Sequence, residues 1–182
     1  MLAQSGADAG RFVREARVLR SLAHPAVVRY VADGSTPSGE LFLAMEWLDG
    51  ESLPTKLDAG VLGVRETVRV AREVALGLAA AHAAGVVHRD IKPSNVLVTR
   101  AGAVKILDFG IARPTENLVE ALTRTGEVVG TPAYMAPEQA RTDRPIDART
   151  DLFALGCLIF RCIMGRRVFS GADVMELLQQ II

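Results

Sequence analysis

Three residues, Asp90, Asn95 and Asp108, have the types and spacing to do chemistry together. They stand in two runs, His88-Arg89-Asp90-Ile91-Lys92-Pro93-Ser94-Asn95 and Asp108-Phe109-Gly110. Asp90 offers a proton acceptor, and Lys92 places a cation two residues on. Asn95 and Asp108 offer side-chain oxygens of the kind a hard cation such as Mg²⁺ takes. Moving a phosphoryl group from ATP to a hydroxyl calls for these parts: a base at the acceptor, positive charge at the γ-phosphate and oxygen ligands for the metal. Gly110 lets the backbone turn sharply behind Asp108. Either run alone is weak evidence, because Asp-Phe-Gly is common and His-Arg-Asp could be a surface charge cluster. Both occur in order, with a strand-turn-strand pattern between them, and that combination is specific.

The elements that must position these residues can be read from periodicity. Phe12, Ala16, Leu19 and Ala23 recur at helical spacing, and the helix should stop near His24-Pro25, since a residue before proline avoids helical backbone. Val27 to Ala32 and Leu41 to Glu46 read as strands, made a hairpin by the turn-rich stretch Asp33 to Gly39. Val64, Val68, Ala71, Ala75, Leu78 and His82 mark one face of a long helix, with Gly85 at its C-terminal cap. His82 is expected simply to pack on that helix and His24 to cap the one before it, so neither is a metal-ligand candidate. Asn95 to Thr99 and Val104 to Leu107 read as short strands around a turn at Arg100-Ala101-Gly102. Residues 111–135 show no period and read as a long loop, a length that is usually functional or disordered. Helices resume after it, the most buried being Asp151 to Met164, and an amphipathic run Val174 to Ile182 follows. The order, a helix with two strands and then a mostly helical part, predicts an α+β protein of two lobes rather than a parallel sheet.

Composition narrows the class. The 182 residues are 49% apolar and 23% charged, which is globular rather than disordered. Acidic and basic residues balance at 21 each, so no basic field argues for nucleic acid. Cys157 and Cys162 are too few for a disulfide framework and lack zinc-ligand spacing; they predict reduced core residues in a cytoplasmic protein. No apolar stretch behind basic residues suggests a signal peptide, and the most apolar segment, Leu152 to Phe160, is too short to span a bilayer.

On these motifs the chain resembles the protein kinase superfamily, specifically a bacterial-type Ser/Thr kinase, and the likeness implies that family's mechanism. The resemblance runs from about Phe12 to the C-terminus. Ala136-Pro137-Glu138 is similar to the end of the activation segment opened by Asp108, and Gly130-Thr131-Pro132 to the loop that positions substrate. By that likeness Lys92 and Thr131 favour Ser/Thr acceptors, and Asp151 resembles the buried helix aspartate that braces the catalytic loop. Glu15 matches the regulatory-helix glutamate. Leu19, Tyr30, His88 and Phe109 would form the hydrophobic column linking the lobes, although for Leu19, Tyr30 and Met45 plain core packing fits equally. Met45 resembles the gatekeeper, Glu46 and Leu48 would meet the adenine edge through backbone groups, and Leu97 would underlie the ring. Thr123 and Thr125, flanking Arg124, suit phosphorylation in the activation segment, where a phosphate could pair with Arg89. The implied cofactors are ATP and Mg²⁺. The implied partners are a protein substrate with a Ser or Thr acceptor and a second kinase in a dimer.

The implied architecture is a partial kinase domain over residues 1–182. A truncated small lobe, a regulatory helix plus two or three strands, covers about 12–46, a hinge 47–51, and a mostly helical large lobe 52–182, with its activation segment at 108–138. Such a kinase places a glycine-rich loop and a strand lysine before the regulatory helix, whereas only eleven residues precede Phe12, and Gly6 and Gly10 do not fit the loop. The lysines are Lys56, Lys92 and Lys105 alone, and none lies where that strand would be. The later helices and an arginine partner for Glu138 are also missing, and loss of one member of a buried ion pair can cost about 3–5 kcal/mol. These gaps predict a marginally stable piece that binds ATP weakly. The first reading is therefore a genuine Ser/Thr kinase represented in part. The second is a non-catalytic, pseudokinase-like remnant acting as a binding module. A small-molecule phosphotransferase is a third, disfavoured by Ala136-Pro137-Glu138 and the long threonine-bearing segment.

Overall fold

The computed structural model describes residue 12 and residues 16–109, 132–141 and 145–182. Glu15, Gly110, Thr123, Thr125 and Thr131 lie outside the described residues. The first helix, α1 (residues 16–21), turns Ala16 and Leu19 inward and ends before His24-Pro25 as proline sterics require. His24 does not cap it. Its Nδ1 instead accepts from the Ala26 N–H at 3.1 Å, shaping the turn that follows.

Strand β1 (Tyr30–Ser35) begins three residues later than its apolar run suggests, and it pairs antiparallel with β2 (Leu41–Met45). The displaced stretch is used elsewhere. Val28 N–H donates to the Ile106 carbonyl at 3.0 Å, and Ile106 N–H to the Ala26 carbonyl at 2.7 Å. Val27 makes a parallel bridge to Ile106, so this segment buries its valines against the strand below. Competition for backbone partners, which no local pattern reveals, moves the strand boundary.

A second sheet has the order β3-β4-β5, all antiparallel: β3 (Gly50–Ser52), β4 (Val96–Thr99) and β5 (Val104–Ile106). β3 falls partly within the expected hinge, a segment too short to show a period of two. Gly50 is needed there, because a Cβ would lie 2.6 Å from Thr99 Cα and against the Val98 carbonyl. Ser52 then caps α2 (Leu53–Asp58), accepting from Thr55 N–H, with Pro54 in the first turn.

The long helix α3 (Val64–Ala83) has the expected ends, and Gly85 follows its cap at φ 74°, where only glycine is at ease. Its buried face differs from the expected one. Thr67, Val70, Val74, Gly77, Leu78 and Ala81 are buried, while Val64 and Val68 are exposed. The helix is apolar over a wide arc of Ala and Val, and packing selects the half that lies roughly a quarter turn away. That half faces α5 and β5.

The remaining helices are α4 (Pro137–Ala140), α5 (Ala148–Met164) and α6 (Val174–Ile181). α5 starts at Asp147, whose carboxylate accepts from Arg149 N–H, and stops at Gly165 in left-handed backbone. One apolar cluster joins Leu19, Val27, Leu53, Val74, Leu78, Val96, Ile106, Phe109 and Leu158, so α1, both long helices and the three-stranded sheet share a core. Among the described residues, no helix is long and apolar enough to cross a membrane.

Candidate active site

The loop between Gly85 and Asn95 carries the charged motif, and its shape is set from below. His88 is fully buried and its N–H donates to Asp151 Oδ2 at 2.8 Å. Arg89 N–H donates to Asp151 Oδ1 at 2.8 Å, and His82 Nε2 lies 2.7 Å from Oδ2. Asp151, in the first turn of α5, is itself completely buried. A carboxylate in that position is tolerated because donors surround it. His82 is thus not mere helix packing: it lies one helix away from Asp151 and reaches across. A lone histidine near a helix end gives no sign of this.

The resulting backbone is unusual. Arg89 has φ 68° and Asp108 φ 42°, the non-glycine residues with positive φ among those described. Such conformations cost about 1–3 kcal/mol each and persist where the surroundings hold them. Asp90 N–H donates to His88 Nδ1 at 3.2 Å, and His88 Nε2 faces the Leu107 carbonyl at 3.1 Å. These partners assign the proton to Nε2. Burial pushes the His88 pKa below its ordinary 6.5, outweighing the Leu107 carbonyl and the nearby carboxylates, so the ring stays neutral. It packs on Phe109 with ring centroids 4.6 Å apart.

Asp90, Lys92 and Asn95 are brought into direct contact. Lys92 Nζ is 2.8 Å from Asp90 Oδ2. Asn95 Nδ2 donates to the Asp90 carbonyl at 2.8 Å and to Oδ2 at 3.2 Å. The Pro93–Asn95 turn of 3-10 helix swings Asn95 back to make these bonds. The backbone just before Asp108 is tied to the same loop: Leu107 N–H donates to the Asn95 carbonyl at 2.8 Å, while the Leu107 carbonyl meets His88. Asn95 is buried and Asp108 exposed.

This donor set suits Mg²⁺. With the Asn95 amide nitrogen committed to Asp90, Oδ1 is the atom that would ligate a metal, and Asp108 would add a carboxylate. Both are hard oxygen donors. Among the described residues, no group of three His, Cys, Asp or Glu side chains could hold a metal by itself. The set here has one carboxylate, Asp108, and one amide oxygen, Asn95 Oδ1, which fits a Mg²⁺ that takes its remaining ligands from substrate phosphates and water.

The residues expected around adenine lie at the join of the sheets. Met45 ends β2 opposite Tyr30, and Leu97 sits in β4 opposite Ser52 and Lys105. Glu46 N–H donates to the Arg29 carbonyl at 2.9 Å, so its carbonyl rather than its N–H would be the group to meet a base. Leu48 is half-buried in the link from β2 to β3. The Glu46 side chain takes Lys105 Nζ at 2.5 Å and Arg29 N–H at 2.9 Å. Burial raises its pKa, but the Lys105 ammonium and the Arg29 N–H outweigh that and hold it below the usual carboxylate range. Lys105 is thereby committed to Glu46 and the Val27 carbonyl. Leu19 and Phe109 belong to the same buried cluster, against which Tyr30 packs with its hydroxyl held by Arg20 and Asp33. Glu138 accepts from Thr150 Oγ1 at 2.5 Å and has no arginine ion pair among the described residues.

Residues 3–182 match the protein kinase domain. The chain belongs to the protein kinase family. It is 38% identical over 165 residues to serine/threonine-protein kinase PknB of Mycobacterium tuberculosis, covering 88% of this chain and 26% of that protein. It is 41% identical over 173 residues to serine/threonine-protein kinase pkn2 of Myxococcus xanthus, covering 93% of this chain and 20% of that protein. The chain therefore spans about a quarter of the length of these curated relatives or less. A crystal structure of Rad53 1-466 in complex with AMP-PNP aligns with TM-score 0.76 and 28% identity over 93% of this chain and 42% of that one. The kinase-like α+β fold expected from the motifs is thus the fold observed.

Two kinase residues that join this site escape sequence reasoning. His82 is one. Gln139 is the other: its Nε2 donates to the Arg89 carbonyl at 2.8 Å, and its Oε1 accepts from Ala136 N–H at 3.0 Å. The second of these bonds has a sequence signal, since Gln at the third helical position commonly reaches back to the cap. The first has none.

Proposed function

We propose that the protein is a Ser/Thr protein kinase that transfers the γ-phosphoryl group of ATP to a hydroxyl of a protein substrate. The observation that carries this is the bonded cluster of Asp90, Lys92 and Asn95, with the backbone just before Asp108 tied to it through Leu107. In this reading Asp90 accepts the proton of the acceptor hydroxyl as the oxygen attacks phosphorus, and Lys92 holds the γ-phosphate. Asn95 and Asp108 would hold Mg²⁺, which when bound neutralises charge on the phosphates. Met45, Leu48 and Leu97, with the Glu46 carbonyl, would seat the adenine. Asp151 and His88 fix the loop that aims Asp90. Thr131 would favour a Ser or Thr acceptor, and phosphates on Thr123 and Thr125 would order the segment that carries them.

A second reading, a non-catalytic binding module, is favoured by one specific observation. The lysines of these 182 residues are Lys56, Lys92 and Lys105 alone, and they pair with Glu66, Asp90 and Glu46 respectively. On this ground the 182 residues alone are expected to transfer phosphate poorly. The test is incorporation of radiolabel from γ-labelled ATP into a generic basic protein and into the kinase itself. A catalytic role for the cluster predicts label that disappears in Asp90→Ala and Asp108→Asn. Label that survives Asp90→Ala would refute the assignment of the base. The absence of any ATP-derived label, including from a chain preceded by a glycine-rich loop and lysine strand, would favour the binding module.

A further inference from the structure

We propose that Gln139 is a positioning residue: its one amide group locks the backbone of the catalytic loop to the end of the activation segment. Arg89, immediately before Asp90, sits in left-handed backbone at φ 68° and needs outside support. Both faces of its peptide are held by distant residues. The N–H goes to Asp151 Oδ1, and the carbonyl accepts from Gln139 Nε2, fifty residues along the chain.

Helix capping does not account for this. α4 has four residues, and its cap, Ala136, has no side-chain acceptor, so only the return half of a capping box forms, Ala136 N–H to Gln139 Oε1. That half needs an acceptor only. Glu would supply it, and its charge would suit a helix N-terminus better. The donor half of the amide is what the Arg89 carbonyl uses, and glutamine, unlike glutamate, serves both partners at neutral pH. Pro132, Ala133, Tyr134 and Ala136 are buried, so the segment that Gln139 grips is itself anchored in the fold. A displacement of that segment would therefore reach the carbonyl preceding Asp90 through one side chain. The kinetic consequence rests on the phosphotransfer reading above; the mechanical link does not.

The test uses two variants of the full chain. Gln139→Glu keeps the acceptor for Ala136 and removes the donor for Arg89. Gln139→Leu removes both without adding charge. Amide hydrogen exchange over residues 87–91 should accelerate roughly 5-fold in each, as expected for one lost hydrogen bond, while α5 keeps its protection. In a form of the kinase that transfers phosphate, kcat should fall about 10- to 100-fold with the KM for ATP unchanged. The Gln139→Glu defect should shrink relative to wild type as pH is lowered and the carboxyl regains a donating O–H. A residue that merely capped α4 would show no such pH recovery. Unchanged exchange at 87–91 in either variant would overturn the inference while leaving the kinase reading intact. So would accelerated exchange without any loss of kcat. Failure of the kinase reading would appear separately, as absence of Asp90-dependent label in the wild-type protein.

Discussion

Replacing Asp151 by Asn probes the support of the candidate site with a change of one atom. The carboxylate is wholly buried and takes three donors, His88 N–H, Arg89 N–H and His82 Nε2, at 2.7–2.8 Å. Asparagine keeps one oxygen. If that oxygen stays with Arg89, the new NH₂ group faces His88 N–H, donor against donor. A buried donor left without an acceptor costs about 1–3 kcal/mol, and loss of the charge weakens the bond that remains. The combined cost is about 2–4 kcal/mol. In a chain of this size each kcal/mol lowers Tm by roughly 2–4 °C, so the variant should melt about 4–16 °C below wild type. Thermal unfolding followed by circular dichroism measures this directly. A double-mutant cycle with His82→Ala isolates the histidine arm, where a coupling of about 1.5–3 kcal/mol is expected for a bond to a charged group. Melting within about 1 °C of wild type, or full additivity of the two changes, would refute the claim that one carboxylate organises this loop.

Other expectations follow from the same structure. His88 is buried neutral with its pKa lowered from 6.5, so the unfolded chain binds more protons as the solution acidifies. Its contribution is intact above pH 6.5 and is lost as pH falls below that value. Urea unfolding across this window should show that slope, and His88→Phe should flatten it. Burial pushes the thiols of Cys157 and Cys162 up to about 11, which leaves about 100-fold less thiolate than an ordinary cysteine at mild alkaline pH. Both should resist iodoacetamide in the native kinase and react once it is unfolded; rapid native labelling would contradict their burial. Gly50→Ala forces a methyl group against β4 and should lower stability by about 1–3 kcal/mol, read as a shift of the denaturant midpoint at constant slope.

The local signals in this sequence were strong where one residue type has one physical use. Proline after His24 ends α1, Gly85 and Gly165 close helices in left-handed backbone, and the alternation in Val96–Thr99 and Val104–Ile106 marks a sheet. The order of His88-Arg89-Asp90, Asn95 and Asp108-Phe109 was enough to nominate a phosphoryl-transfer site, because that chemistry has few solutions in side chains. Which half of α3 is buried was not legible, since Val and Ala fall on both halves of its arc, Leu78 belongs to both, and only contact with α5 and β5 chooses between them. Nor was the start of β1, because Val27 and Val28 are diverted to Ile106. Asp151 was legible only through its resemblance to a kinase brace, His82 reaches the 88–90 loop only through the Asp151 carboxylate, and Asp151 and Gln139 hold the loop by its main-chain N–H and C=O groups from helices far along the chain. Every residue carries those groups, so no pattern of side chains announces which of them a distant amide or carboxylate will hold. The sequence named the reactive groups; the packing of α3, α4 and α5 around one left-handed residue decided where they point.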